Sequence, residues 1–496
     1  MATATNAPRP RRNPRGGETA RAWGGVGNKF GELLERPQIN YMVILSITLI
    51  LTGFGITMVL SSSMVTSRAM GASVWTEFLK QLVMVLAGLF GLWASLRARV
   101  ETIRRISGPL LLLAVFLLLL LFVPGLGVGG EEVGNNSWIR LGPVGIQPSE
   151  VAKLALAIWG SANVSLRARQ TRKAIPALST FLSVGGCLML LVLLQKDLGM
   201  MLTVGIVLMA ILFFAGVSSI VFTVTMGVVA VVGAGAILAQ SFRSNRLHTW
   251  VEAFTLNFDK AGVKGTAYQS YQGILSLSDG GLTGAGLGQS RAKWFYLPEA
   301  KNDFIFAIVG EELGWIGAIA IVLLFALLGW FGIRTALAQT DPFLRMLAAT
   351  LTVGVVVQAF YNMGYVMGFM PVTGIQLPLI SAGGTSAVIT LVSLGLLANC
   401  ARHEPAAVSS MQHEGLPWID RVLLLPEPRS RRSGDRRRVE RRSTSQRYGD
   451  PVTRRAPTAG SRGHDVRRVP GRSSLEDYDS QRRTRIPDPD SRQRRR

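Results

Sequence analysis

The chain has 496 residues, 48% of them hydrophobic, with a mean hydropathy of +0.32 and a formal net charge of +23. Separate apolar runs of about 20 residues, each long enough to cross a bilayer, exclude an ordinary soluble enzyme. Two cysteines (Cys187, Cys400) and four histidines without ligand spacing argue against a disulfide framework or a zinc site. The positive charge sits in tails and loops of a membrane-tethered chain, which points to membrane lipid or acidic partners rather than nucleic acid.

Residues 1–37 are polar and Arg-rich and hold no short apolar core with a cleavage site. The first apolar run therefore reads as a retained helix, not a removed signal. Apolar runs follow at 41–61, 77–96, 106–124, 149–166, 175–195, 198–216, 218–240, 304–333, 343–366 and 377–400. They predict an all-α, polytopic membrane domain of ten helices over 38–401. From 402 to 496 the composition turns to Arg, Ser, Pro and Asp, which reads as a disordered basic tail like 1–37. Within it Val422-Leu423-Leu424-Leu425 is an isolated apolar patch suited to the membrane or to a partner.

The connections orient the helices, because short cytoplasmic loops collect Lys and Arg. Arg97, Arg99, Arg104 and Arg105 follow the second run, Arg167, Arg169, Arg172 and Lys173 the fourth, and Arg334 the eighth. Both termini fall on that basic, cytoplasmic side. Two long connections, about 123–148 and 241–302, then lie outside, and loops of that length usually carry function.

Ionisable residues at membrane depth are costly and mark candidate sites. Glu150, Lys153, Lys196, Asp197, Asp303, Glu311 and Glu312, with Asn362, Ser381 and Thr385, all fall in the outer half. Glu150 and Lys153, spaced i, i+3, could equally neutralise each other, and Asp197 and Asp303 could each simply start a helix. Glu312 or Glu311 could hold a buried lysine such as Lys153. Neighbours on a helix point about 100° apart, so at least one of the two carboxylates is expected to be structural. The glycine run Gly280–Gly288 lacks the Gly-Lys-Ser/Thr ending of a phosphate loop and is discounted as a nucleotide site. It suggests instead a backbone that bends closely around something.

Five stretches carry a resemblance: Gln147–Lys153, Asp197-Leu198-Gly199, Pro298–Ala307, Glu311-Glu312-Leu313-Gly314 and Pro371–Ser386. Together they resemble the SEDS family (shape, elongation, division and sporulation) of ten-helix peptidoglycan glycosyltransferases, and within it the cell-division type of actinobacteria more than the elongation type. Lys301-Asn302 stand where the family often has His-Thr, and Lys301 could supply the positive charge of a protonated His.

The resemblance implies polymerisation of lipid II into β-1,4 glycan strands on the outer face of the cytoplasmic membrane, at the septum. It implies a class B penicillin-binding transpeptidase and other divisome proteins as partners. Asp303 is then the expected general base, since desolvation at the rim of an apolar helix raises a carboxylate's pKa. Arg140, Lys153, Lys196, Arg291, Lys293 and Lys301 are candidates to hold the diphosphate, alone or with a divalent cation (Mg or Mn). Glu299 could orient Asp303 or bind that cation; Glu150, Asp197, Glu311 and Ser381 are supporting candidates. The alternatives are a lipid II flippase or transporter, a non-catalytic divisome scaffold, and the elongation role within the family.

Overall fold

The computed structural model describes residues 35–69, 71, 73–128, 137–141, 144–170, 175–238, 250–251, 266–294, 297 and 299–428. Residues 1–34 and 429–496 of the expected tails, and Glu131, Glu132, Phe295, Tyr296 and Pro298, lie outside them.

The chain runs through α1 (Ile39–Ala69), α2 (Thr76–Arg97) and α3 (Val100–Leu120) into a small sheet of β1 (Gly127–Val128), β2 (Trp138–Leu141) and β3 (Val144–Ile146). It continues through α4 (Pro148–Gln170), α5 (Ile175–Leu194), α6 (Leu198–Phe214), α7 (Ser219–Leu238) and α8 (Thr266–Asp279). Then come α9 (Ile305–Ala338), α10 (Pro342–Val366), α11 (Gly384–Arg402), α12 (Pro405–Glu414) and α13 (Trp418–Val422). Helices occupy all ten expected spans. Seven described helices are long and apolar enough to cross a membrane by length and composition. In the other three places stand α5 and α6, which are apolar but shorter over their described residues, and α4, which carries Glu150 and Lys153.

Three elements depart from expectation. Helix α1 continues to Ala69, eight residues past the expected end, because Ser61, Ser62 and Ser63 are buried against the bundle rather than opening a loop. The first outer connection folds into the antiparallel sheet, with Ile139 opposite Ile146 and Arg140 opposite Gly145; its Trp, Ile and Val suit a pleated surface. The second holds α8, whose Leu277 and Ser276 are buried.

The bundle closes where α2 packs along α11. A Cβ on Gly395 would stand 2.8 Å from the Leu92 backbone, so the two helices approach at the distance that only a small residue permits. At the basic end the helices are tied by side chains. Arg104 pairs with Asp341 at 2.6 Å, and the Asn399 amide donates to the carbonyls of Ser95, Leu96 and Ala98.

The expected boundary at Ala401 is corrected by the same end of the molecule. Arg402, buried, pairs with buried Asp420 at 2.7 Å, and Asp420 also accepts from the Tyr41 hydroxyl at 2.7 Å. A buried charge requires such partners, and these draw 402–428 back onto the start of α1. The segment's polarity hid this from composition.

Glu404 completes the clasp, accepting from the Asn40 amide at 3.0 Å. Burial pushes its carboxyl up to about 7, against the opposing effects of Asn40, Thr335 and Arg334. Because the folded state favours the protonated acid, its contribution to stability is complete below the ordinary range near 4.5 and is lost as pH rises through about 7. Hydrogen exchange in α12, corrected for intrinsic rate, is therefore expected to be faster at pH 8 than at pH 5. Glu404→Gln should flatten that dependence; an unchanged slope in the variant would show that another group is responsible.

Candidate functional site

The end opposite the arginines gathers the sequence-predicted site. Residues 299–304 form a tight turn ahead of α9, with Glu299 in the left-handed region (φ 55°) and Asn302 N–H donating to the Glu299 carbonyl at 3.0 Å. The Asn302 amide also donates to the Glu299 carboxylate. Asp303, half-buried, is fixed through its backbone: its carbonyl accepts from Asn362 Nδ2 at 2.9 Å and from the Tyr365 hydroxyl at 3.0 Å.

Those two α10 side chains also bind the Ile375 carbonyl, at 2.7 and 2.6 Å. They thus clamp the turn to the extended segment 371–383. A Cβ on Gly374 would lie 3.4 Å from Asp303 Oδ2, so the carboxylate rests against bare backbone. Ser381 is a second clamp. Its hydroxyl donates to the Asn302 carbonyl at 2.7 Å and accepts from Leu377 N–H at 2.8 Å, while Ala382 N–H donates to the Lys301 carbonyl at 2.9 Å. Lys301 itself lies 3.5 Å from Glu77 at the start of α2.

A second polar cluster adjoins this one through the same segment. Lys153 pairs with Glu150 at 2.7 Å and donates to Gln358 Oε1 at 2.6 Å; Gln358 in turn donates to the Gln376 carbonyl at 3.1 Å. Ser386 reaches Glu150 at 3.4 Å, and Thr385 donates to the Gly145 carbonyl at 2.6 Å, which seats the sheet over this cluster. Arg140 on β2 is exposed, as is Lys196. Asp197 is the N-cap of α6, accepting from Met200 N–H at 2.9 Å, with Gln147 at 3.5 Å. Its helix-start role is the one realised here.

Three expected residues, Glu311, Glu312 and Lys293, are engaged elsewhere at the same end. Helix α9 is broken at Gly314 (φ 66°, ψ −168°), and the glycine run docks into the break. Ala285 and Gly286 N–H donate to the freed carbonyls of Glu311 and Glu312, and Trp315 and Ile316 N–H donate to those of Gly281 and Leu282, all at 2.9–3.2 Å. At membrane depth a broken helix needs such substitutes. What the glycines bend around is this helix: a Cβ at Gly284 would stand 2.1 Å from the Glu312 carbonyl oxygen.

The side chains lock the same loop. Glu311 accepts from the Ser290 hydroxyl and from Arg291 and Ala292 N–H. Glu312 pairs with buried Lys293 at 3.0 Å and accepts from Ser61 at 2.7 Å. Lys293, not Lys153, is therefore the lysine held by Glu312, and both carboxylates are structural. Lys293 is buried in this ion pair, while the Arg291 side chain is exposed.

Sequence reasoning passed over Glu77, Gln358 and Tyr365. The signal for the last two was present: Gln358, Asn362 and Tyr365 recur at i, i+4 and i+7, a polar stripe down an otherwise apolar helix. Among the described residues no three His, Cys, Asp or Glu side chains assemble as a metal cage.

Fold and site together define a polytopic, predominantly helical membrane protein with a half-buried aspartate whose backbone is clamped at the end of the bundle opposite the arginines. The family model described as cell cycle protein, FtsW/RodA/SpoVE, matches residues 41–406, and the chain belongs to that family.

Relatives include a "probable peptidoglycan glycosyltransferase FtsW" of Mycobacterium tuberculosis, 40% identical over 400 residues, covering 81% of this chain and 75% of that one. Stage V sporulation protein E of Bacillus subtilis is 34% identical over 376 residues, 73% of this chain and 97% of that one. Two solved structures share the fold. The rod shape determining protein RodA of Thermus thermophilus has a TM-score of 0.52 at 24% identity, covering 73% of this chain and 96% of that one. A chain from a structure described as a peptidoglycan synthase complex that coordinates polymerization and crosslinking has a TM-score of 0.57 at 22% identity, covering 73% of this chain and 97% of that one.

Proposed function

We propose that the chain is a peptidoglycan glycosyltransferase that polymerises lipid II on the outer face of the cytoplasmic membrane, serving septal synthesis in cell division. The observation that carries this reading is the fixing of Asp303: two α10 side chains hold its backbone carbonyl, and the residue is half-buried ahead of α9. The similarity to division-type glycosyltransferases favours the septal role over elongation.

In the reaction, Asp303 takes the proton of the acceptor's GlcNAc 4-hydroxyl. That oxygen bonds to C1 of the donor sugar from the face opposite the leaving group, and the C1–O bond to the polyprenyl diphosphate breaks. The diphosphate leaves as an anion and needs no proton if cations hold it, so one carboxylate suffices. Inversion converts an α-linked donor into a β-1,4 linkage. Lys301, Lys153, Lys196, Arg140 and Arg291 are the candidate cations for the diphosphate. Mg²⁺ typically binds one or two carboxylates together with substrate phosphates, and Glu299 would supply such a carboxylate. Such an ion would neutralise charge on the leaving group.

A class B penicillin-binding transpeptidase that cross-links the new strand, with other divisome proteins, completes the proposed setting. The test is the purified full chain given lipid II in detergent, with and without that transpeptidase. Detergent has no second leaflet, so a flippase has nothing to do there. Length-resolved glycan strands and released polyprenyl diphosphate are expected; their absence with the partner present would favour transport or a scaffold.

A further inference from the structure

On the opposite, basic end, α13 presents apolar side chains that none of the described residues covers. Trp418, Val422 and Leu424 are 69%, 71% and 75% exposed. Trp418 and Val422, four residues apart, share one helix face. Leu424 is the odder residue. Leu425 N–H donates to the Asp420 carbonyl at 2.9 Å and Leu424 N–H to that of Arg421 at 3.3 Å, closing the helix with Leu424 in the left-handed region (φ 51°). That position ordinarily takes glycine. A leucine there accepts backbone strain, and the described residues leave its side chain 75% exposed.

The depth of this segment is fixed by α2. The Trp93 indole donates to the Leu423 carbonyl at 2.9 Å and Arg97 to the Leu424 carbonyl at 2.6 Å. Helix α2 has 22 residues, about 33 Å at 1.5 Å each, against a hydrocarbon core of about 30 Å. Its last turn, and the segment bonded to it, therefore lie at the headgroup boundary. Leu79, Val83, Leu86 and Phe90 form an exposed apolar stripe along α2 that leads to Trp93 and Arg97. Trp418, Val422 and Leu424 prolong that lipid-facing surface.

We infer that residues 418–425 form an interfacial anchor lying in the cytoplasmic leaflet, with Trp418, Val422 and Leu424 among the upper acyl chains and the exposed Arg97 and Arg421 facing anionic phospholipid headgroups. Tryptophan is at home at this boundary, and short amphipathic elements lie in it with their apolar face down. The leaflet's negative surface attracts juxtamembrane arginines, which outnumber the exposed Glu427 nearby. Burial in lipid supplies the compensation that Leu424 lacks in the protein.

The test uses the full chain, Cys187→Ala to leave only buried Cys400, with a spin label at Val422→Cys, in nanodiscs of phosphatidylcholine with or without phosphatidylglycerol. The label should collide with oxygen and be shielded from a water-soluble nickel chelate. Leu424→Gly, which keeps the turn, should raise nickel collisions several-fold. Phosphatidylglycerol should lower them further, and Arg97→Gln with Arg421→Gln should remove that difference. Nickel access equal to that of a label in water overturns the anchor. Shielding from both reagents overturns it too, because protein then covers the face. Equal values in the two lipids overturn the anionic assignment.

Discussion

Asp303→Asn abolishes glycan-strand formation while leaving the chain folded. The two side chains conserve shape and the ability to hydrogen-bond, but the amide cannot take the acceptor's proton. Loss of a positioned general base typically costs about 10²- to 10⁴-fold in rate. The fold should tolerate the change because the bonds from Asn362 and Tyr365 run to the backbone carbonyl of residue 303 and survive the exchange. Initial rates from lipid II, with thermal unfolding and transpeptidase binding measured on the same samples, check it. A variant that polymerises within a few-fold of the parent would remove Asp303 from the chemistry. A variant inactive but unfolded would place it in the clamp instead. Glu299→Gln is the informative companion: Glu299 is exposed and bonded to Asn302, so its loss should slow the reaction less than loss of the base.

The spans and the outer gathering of polar groups were legible because both are local in sequence. A run of about 20 apolar residues declares itself, and so does a carboxylate at its edge. Contacts between distant segments were not. Nothing in Lys293 says that it pairs with Glu312 and Ser61 rather than with substrate, and nothing in Glu311 says that it caps the loop at 290–292. The glycine run announced close approach, which was correct, yet the object approached is a break at Gly314 that a continuous apolar pattern conceals. At the other end, Arg402 looked like the first residue of a basic tail. Its burial depends on Asp420 and Tyr41, 18 and 361 residues away along the chain, a dependence that composition averages out.

Lys293→Met destabilises the outer end by roughly 3–5 kcal/mol, because it leaves Glu312 buried with no countercharge. Glu312 would keep only the Ser61 hydroxyl, 2.7 Å away, and one hydroxyl does not replace an ammonium in a site closed to water. The loss also reaches the backbone. Lys293 donates to the Gly288 carbonyl as well as to Glu312, so it pins the end of the glycine loop to the helix it repairs. Once the loop lifts, the carbonyls of Glu311 and Glu312 and the amides of Trp315 and Ile316 lose the partners that make a broken helix tolerable at this depth. Protease cleavage within 281–294 should therefore rise together with the fall in thermal stability. The double exchange Lys293→Met with Glu312→Leu separates charge from shape. With neither charge left to bury, it should recover much of the lost stability, since buried pairs replaced by apolar groups of similar volume are often neutral. A double variant as unstable as the single one would mean that the bond to Gly288, not the ion pair, holds the loop in the break.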